Sequence, residues 1–332
     1  MDIGAQLRKV IDVAIEAPVV TSFTRIGHDV RSRLEGWTAP AAGSMAGRVV
    51  VVTGGTSGLG RVAARELAEL GATVVITGRD AKRTTAVAAE LSTATGIAVE
   101  AETADMGNLV EVRALADRLA ARHPAIDVLV HNAGALSNER RTTGDGIEQT
   151  VASQVVGPFL LTSLLLPALR AAAPSRVITM SSGGMYASNL EVDALEMDAG
   201  SYKGAEQYAR AKRAQVTLNE MWAERFDASG IVFHAMHPGW ADTPGVEESL
   251  PTFRKIVGPL LRTPEQGVDT LVWLATDSGE PSTASGSFWL DRRRRSLHRL
   301  PTTRRTDTPE RRAALWAWCV ERAGIDPAAV PS

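Results

Sequence analysis

Residues 48–53 read Arg-Val-Val-Val-Val-Thr, an apolar β-branched run that passes at once into Gly54-Gly55-Thr56-Ser57-Gly58-Leu59-Gly60 and then into a helical stretch over 61–70. Valines in series favour a buried strand. A strand that turns through glycines into a helix N-terminus presents backbone N–H groups and the positive end of the helix dipole to a phosphate. Glycine suits such a turn because it adopts positive φ and lets another group approach the backbone closely. A glycine cluster alone is no more than a tight loop; a strand before it and a helix after it make it a nucleotide site.

The alternation continues downstream. Candidate strands at 73–77, 98–102, 126–131, 176–180, 231–237 and 287–290 are separated by helical patterns at 81–94, 108–122, 148–172, 205–228 and 264–275. This predicts an α/β protein with a doubly wound parallel sheet covered by helices on both faces, a Rossmann fold. Neither an internal repeat nor a long Gly/Ser linker divides it, so the reading is a single domain, 46–291, with helical extensions at 1–45 and 292–332.

In the first extension Leu7, Val10, Ile11, Ala14 and Ile15 share one helical face that ends near Pro18, and 39–44 reads as a linker. Such a face is expected to pack on the protein's own core or on a partner subunit, with peripheral membrane contact the lesser alternative. The second extension opens with Asp291 and the run Arg292-Arg293-Arg294-Arg295 and ends in a helix carrying Leu315, Trp316 and Trp318. A run of this kind is expected to be a solvated face or a set of partners for local carboxylates.

Composition narrows the function classes. A net charge of -2 argues against a nucleic-acid footprint. The single cysteine, Cys319, excludes an internal disulfide framework and is read as a small core residue in a reducing compartment, so the expected location is cytoplasmic. No run of eighteen or more apolar residues is present, and Asp12 and Glu16 interrupt the N-terminal apolar pattern, so neither a spanning helix nor a signal peptide is expected. The six histidines are dispersed without cysteine partners, and no metal site is expected.

Tyr208 and Lys212 lie four residues apart in a helical segment and so share a helix face. An ammonium beside a phenol favours phenolate, which at pH 7 otherwise costs about 4 kcal/mol. The spacing alone also fits an ordinary amphipathic face, so the wider context matters. Taken with Thr53-Gly54-x-x-x-Gly58-x-Gly60, His131-Asn132-Ala133-Gly134, Ser181-Ser182 and Pro238-Gly239, it resembles the short-chain dehydrogenase/reductase superfamily. Segments 22–27, 182–185, 236–246 and 288–292 are similar to the branch called dehydrogenase/reductase SDR family member 12.

That resemblance implies an oxidoreductase acting on a small-molecule carbonyl or alcohol. Tyr208 would be the general acid and base, Lys212 would hold the nicotinamide ribose, and Ser182 would orient the substrate oxygen. It places the dinucleotide on Gly54, Thr56, Ser57, Gly58, Leu59 and Gly60, with Asp105 and Met106 at the adenine, Asn132, Ala133 and Gly134 along the cofactor, and Pro238, Gly239 and Thr243 at the nicotinamide. For Asp105, a plain turn or capping role remains an equal alternative. Homo-oligomers are common in the family. Where the family carries Asn, this chain has Gln154.

An acid about twenty residues beyond the glycine loop selects NAD, whereas an Arg accommodates the 2′-phosphate of NADP. Gly78 stands at that place and Arg79 follows, so NADP(H) is the expected cofactor, while Asp80 leaves NAD(H) open unless it caps the next helix. Trp240, Phe253 and Trp273 are candidates for an apolar substrate pocket or for the core, and 189–204 and 244–259 are expected to border the entrance. Gln154 and the arginine run together motivate the alternative of a nucleotide-binding sensor or interaction protein without turnover.

Overall fold

The computed structural model describes residues 3–249 and 251–330. Helices α1 (Ile3–Glu16), α2 (Val19–Phe23) and α3 (Arg25–Glu35) precede β1 (Val49–Val52), α4 (Gly58–Glu69), β2 (Thr73–Gly78), α5 (Ala81–Thr95), β3 (Val99–Thr103), α6 (Leu109–Arg122) and β4 (Val128–His131). The next helix is composite: α7 (Gln149–Val151), a π-helical turn (Ala152–Val156) and α8 (Gly157–Ala171). There follow β5 (Ser175–Met180), α9 (Gly204–Arg225), β6 (Ile231–Met236), α10 (Pro244–Ser249), α11 (Pro251–Val257), α12 (Pro264–Thr276), β7 (Ser287–Leu290), β8 (Arg293–Arg294), α13 (Pro301–Thr306) and α14 (Pro309–Ala323).

The strands form one sheet in the order β3-β2-β1-β4-β5-β6-β7-β8, parallel except for the β7–β8 pair. All seven predicted strands are present, and the sheet is the doubly wound Rossmann arrangement that alternation implied. β1 is valine throughout because helices cover both its faces: Val51 joins the cluster built with α6, α8, α9 and α14, while Val50 and Val52 join the one built with α4, α5 and α12. Cys319 is fully buried in the first cluster, and burial pushes its thiol well above the ordinary value, as befits a core residue.

The composite helix bears on the expectation that no helix spans a membrane. Gln149–Ala171 is long and apolar enough to cross a membrane, the one such stretch among the described residues. Its window is 78% buried within the fold, however, so the core accounts for its apolarity. The π turn has a local cause. Pro158 has no N–H to give the carbonyl four residues back, so the Gln154 oxygen instead accepts from Gln215 Nε2 at 2.6 Å.

The N-terminal helix turns a different side inward from the one its pattern suggested. Of the predicted face, Val10 is 62% exposed and Ala14 is exposed, Ile11 and Ile15 are half-buried, and Asp12 is buried; the Leu7 side chain lies outside the described residues. The reason is electrostatic. Asp12 accepts from Arg31, Arg293 and Arg295, and Glu16 pairs with Arg31 and Arg299.

The arginine run therefore serves local carboxylates. Arg292 pairs with Asp269, Arg293 with Asp12 and Glu35, Arg294 with Glu280, and Arg295 with Asp12. Asp291 and Arg292 form the two-residue turn between β7 and β8, both at positive φ (55° and 53°), where such turns ordinarily carry Asn-Gly. This strained turn directs the Asp291 carboxylate inward to Arg31 and Arg262, each at 1% side-chain exposure.

Candidate active site

The sheet order reverses between β1 and β4, and the loops leaving these strands meet there. Gly54, at φ +68°, lies so close to Ala133 that an added Cβ would sit 2.8 Å from the Ala133 Cα. Asn132 Nδ2 donates to the Thr53 and Gly54 carbonyls, at 3.0 and 3.1 Å, and Thr53 Oγ1 accepts from the Asn132 and Ala133 amides. A Cβ on Gly60 would collide with Asn132 Nδ2 at 2.3 Å. The two segments are thus locked together at the topological switch point, where open α/β sheets bind their ligands.

Ser57 opens α4 in extended backbone and leaves its hydroxyl free of any capping bond. Gly58, at φ +52°, would meet nothing nearer than Thr243 at 3.7 Å if given a Cβ, so the turn is open on the side facing the β6 loop. A helix N-terminus behind an open glycine turn fits a dinucleotide pyrophosphate. Leu59 packs beside Gly267 of α12. Asp105 accepts from the Gly107 amide at 2.8 Å, a turn-forming bond. The Met106 side chain is core and its carbonyl faces Gly157. Gly134 is exposed, with Gln154 beside it.

At the second strand, Asp80 caps α5 by accepting from the Arg83 amide at 3.0 Å, the capping role that the sequence suggested as the alternative. A Cβ on Gly78 would meet Thr84 Oγ1 at 2.4 Å and Thr56 Cγ2 at 2.6 Å, so the space for an acidic side chain there is filled. Arg79 is exposed beside it. Arg83, which the motif reading missed, reaches the Thr56 carbonyl at 3.5 Å. Its signal in the sequence was a second cation on the first turn of the helix that begins after Asp80.

The chemistry-bearing side chains gather at the end of β5. Ser182 caps the short 3-10 turn Gly183–Ala187, its Oγ accepting from the Gly184 amide at 3.3 Å, and its side chain stands beside the phenol of Tyr208 of α9. Lys212, one turn further along α9, donates from Nζ to the Met180 carbonyl at 2.9 Å and lies 5.2 Å from the centre of the Tyr208 ring. Burial pushes the Tyr208 phenol up to about 12, with Ser182 pulling the other way, and burial lowers Lys212 to about 7. Desolvation is the largest influence on both groups. The arrangement keeps a protonated phenol at neutral pH, suited to giving a proton to an oxygen that also meets the serine hydroxyl.

Pro238 and Gly239 follow β6. Gly239 sits at φ +74° over the Arg262 guanidinium, which leaves no room for a side chain. Trp240 and Phe253 pack edge to face at 5.0 Å in the segment after it, whereas Trp273 packs on Trp289 against the core on one face of the sheet. The segments expected at the entrance contact each other's neighbours: Ser249 donates to the Leu136 carbonyl at 3.1 Å, and Arg140 to the Met197 carbonyl at 2.8 Å. Among the described residues no cluster of His, Cys, Asp and Glu could hold a metal ion.

A Rossmann sheet with a glycine turn at its switch point and a Ser-Tyr-Lys group at the end of β5 defines a nucleotide-dependent oxidoreductase. The chain belongs to the short chain dehydrogenase family, whose profile matches residues 48–252, and so acts on CH–OH or C=O groups. It is 38% identical to human dehydrogenase/reductase SDR family member 12 over 79% of this chain and 82% of that protein. To human retinol dehydrogenase 13 it is 30% identical, over 78% of this chain and 81% of that one. A crystal structure of an uncharacterized protein from Mycobacterium Paratuberculosis superposes with a TM-score of 0.69 at 26% identity, covering 89% of this chain and all of that one.

Proposed function

We propose that the protein transfers hydride between NADP(H) and a ketone or aldehyde, or the corresponding alcohol, with Tyr208 as the proton donor in reduction and the acceptor in oxidation. The observation that carries this reading is the convergence of Ser182, Tyr208 and Lys212 at the end of β5. The glycine turn at 54–60 and Lys212 would hold NADP(H), which would supply the hydride. Ser182 orients the carbonyl oxygen, the phenol gives it a proton as it gains charge, and Lys212 binds ribose hydroxyls. Trp240 and Phe253 favour a small to medium apolar substrate. A panel of carbonyls and alcohols followed at the nicotinamide absorbance with both coenzymes tests this; the absence of turnover with every member refutes it.

NADP(H) is favoured because Gly78 has no room for the acid that would bind a ribose hydroxyl, while Arg79 and Arg83 stand at the same mouth. Arg79→Ala is expected to weaken NADPH binding about tenfold or more and to leave NADH nearly unchanged, since a hydrogen bond to a charged group contributes about 1.5–3 kcal/mol. Fluorescence titration with both coenzymes checks it, and equal weakening of the two refutes the assignment. The sensor alternative loses one motive, because each arginine of the 292–295 run has a carboxylate partner.

Gln154 ties the loop after β4 by donating from Nε2 to the Ala135 carbonyl at 2.9 Å, with its side chain against Gly134. This is a supporting contact. Gln154→Asn is therefore expected to lower kcat less than Tyr208→Phe, and equal losses in steady-state assays would refute that ranking.

A further inference from the structure

Resting on the carbonyl-reduction reading, we propose that Phe23, carried inward by the N-terminal helices, is a positioning residue that fixes both the Ser182 turn and the Pro238-Gly239 loop. The matched family region begins at residue 48, so Phe23 lies outside it. The ring is buried and occupies the space a side chain at Gly183 would need: a Cβ there would sit 2.6 Å from Phe23 Cε2 and 3.0 Å from His237 Nε2. It packs edge to face on His237 at 4.4 Å and on Trp240 at 5.8 Å, and stacks on Tyr186 of the serine turn at 6.4 Å. The Arg299 guanidinium lies over both Phe23 and Tyr186.

The backbone makes the second attachment. The Phe23 carbonyl accepts from the Trp240 amide at 2.6 Å and from Arg262 Nε at 3.1 Å. Arg262 also takes the Ser22 and Thr24 carbonyls, and Arg31 takes Ser22 again, with Asp291 pairing both guanidiniums. A segment that only sealed an apolar surface would bury side chains. This one buries three consecutive carbonyls against two charged donors, an arrangement that tolerates little displacement because each lost bond leaves a buried charge less well paired. One face of Phe23 thus backs the turn carrying the substrate-orienting serine, and its carbonyl holds the loop expected at the nicotinamide.

The test compares Phe23→Ala and Phe23→Leu with the wild-type chain in steady-state carbonyl reduction, NADPH titration and amide hydrogen exchange. Since a displacement of about 1 Å costs about 100-fold, Phe23→Ala is expected to lower kcat about 10- to 100-fold and Phe23→Leu by less. NADPH affinity should fall by less than kcat in both, because the glycine turn at 54–60 is left in place. Exchange should rise at 183–187 and 239–241 but not at 54–60. Unchanged kcat and exchange in Phe23→Ala would overturn the proposal, as would exchange raised evenly over the whole chain together with a Phe23→Leu variant as active as wild type. If wild type reduces no carbonyl, the functional reading fails, and the exchange pattern alone still decides whether Phe23 holds the two loops.

Discussion

Replacing Tyr208 with Phe is expected to lower kcat for carbonyl reduction about 100- to 10,000-fold, the range that a positioned proton donor contributes, while NADPH still binds. Phe keeps the ring that Lys212 faces and removes only the hydroxyl beside Ser182, so the loss reads proton transfer rather than folding. Loss of NADPH absorbance with substrate gives kcat, and fluorescence titration gives cofactor affinity; a variant that keeps its rate removes Tyr208 from the mechanism. The pH dependence follows from the same environment. With the phenol pushed up to about 12, its acid form is fully populated at neutral pH. Reduction should therefore stay level with respect to this group from about pH 6 to 8, and oxidation, which needs the phenolate, should climb with pH.

The largest effect on stability is expected at Asp291. Asp291→Ala should cost about 3–5 kcal/mol, because removing one member of a buried ion pair strands the other charge in a low-dielectric site. Among the described residues Asp291 is the one carboxylate paired with Arg262, whereas Arg31 also has Asp12 and Glu16. Urea unfolding of wild type and variant measures the difference; a change below about 1 kcal/mol, the size of an exposed pair, would show that the network is not stabilising.

Acid should have a related effect. Burial by itself would raise the carboxyls of Asp12 and Asp291, but Arg295 and Arg31 at the first and Arg262 and Arg31 at the second outweigh it and hold both below the ordinary carboxylate value. Groups depressed in the folded state add stability above their unfolded pKa of about 4 and lose it as pH falls toward the folded value. The attachment of the N-terminal helices should accordingly weaken below about pH 4, read as rising amide exchange in residues 10–35.

Much of the catalytic half of the molecule was legible because its signals are local. A run of valines ending in glycines is a strand and a turn in any context, and Tyr208 and Lys212 share a face because the helix repeat puts them there. Local signals also misled. The apolar positions of α1 suggested an inward face, yet Val10 and Ala14 on that face are exposed, since Asp12 is drawn to arginines that follow it by hundreds of residues. Trp273 read as a pocket candidate because its neighbour Trp289 could not be seen from sequence.

The sequence alone determined the order of strands and helices, the glycine turn and the residue types that carry the chemistry, all of which depend on neighbours within a few turns of chain. Tertiary structure decided the water-excluded surroundings of Tyr208 and Lys212, the filled space beside Gly78, and the joining of Phe23 to Arg262 across 239 residues. These depend on which atoms exclude water from a group and which charges face it, quantities that exist only once distant segments have packed.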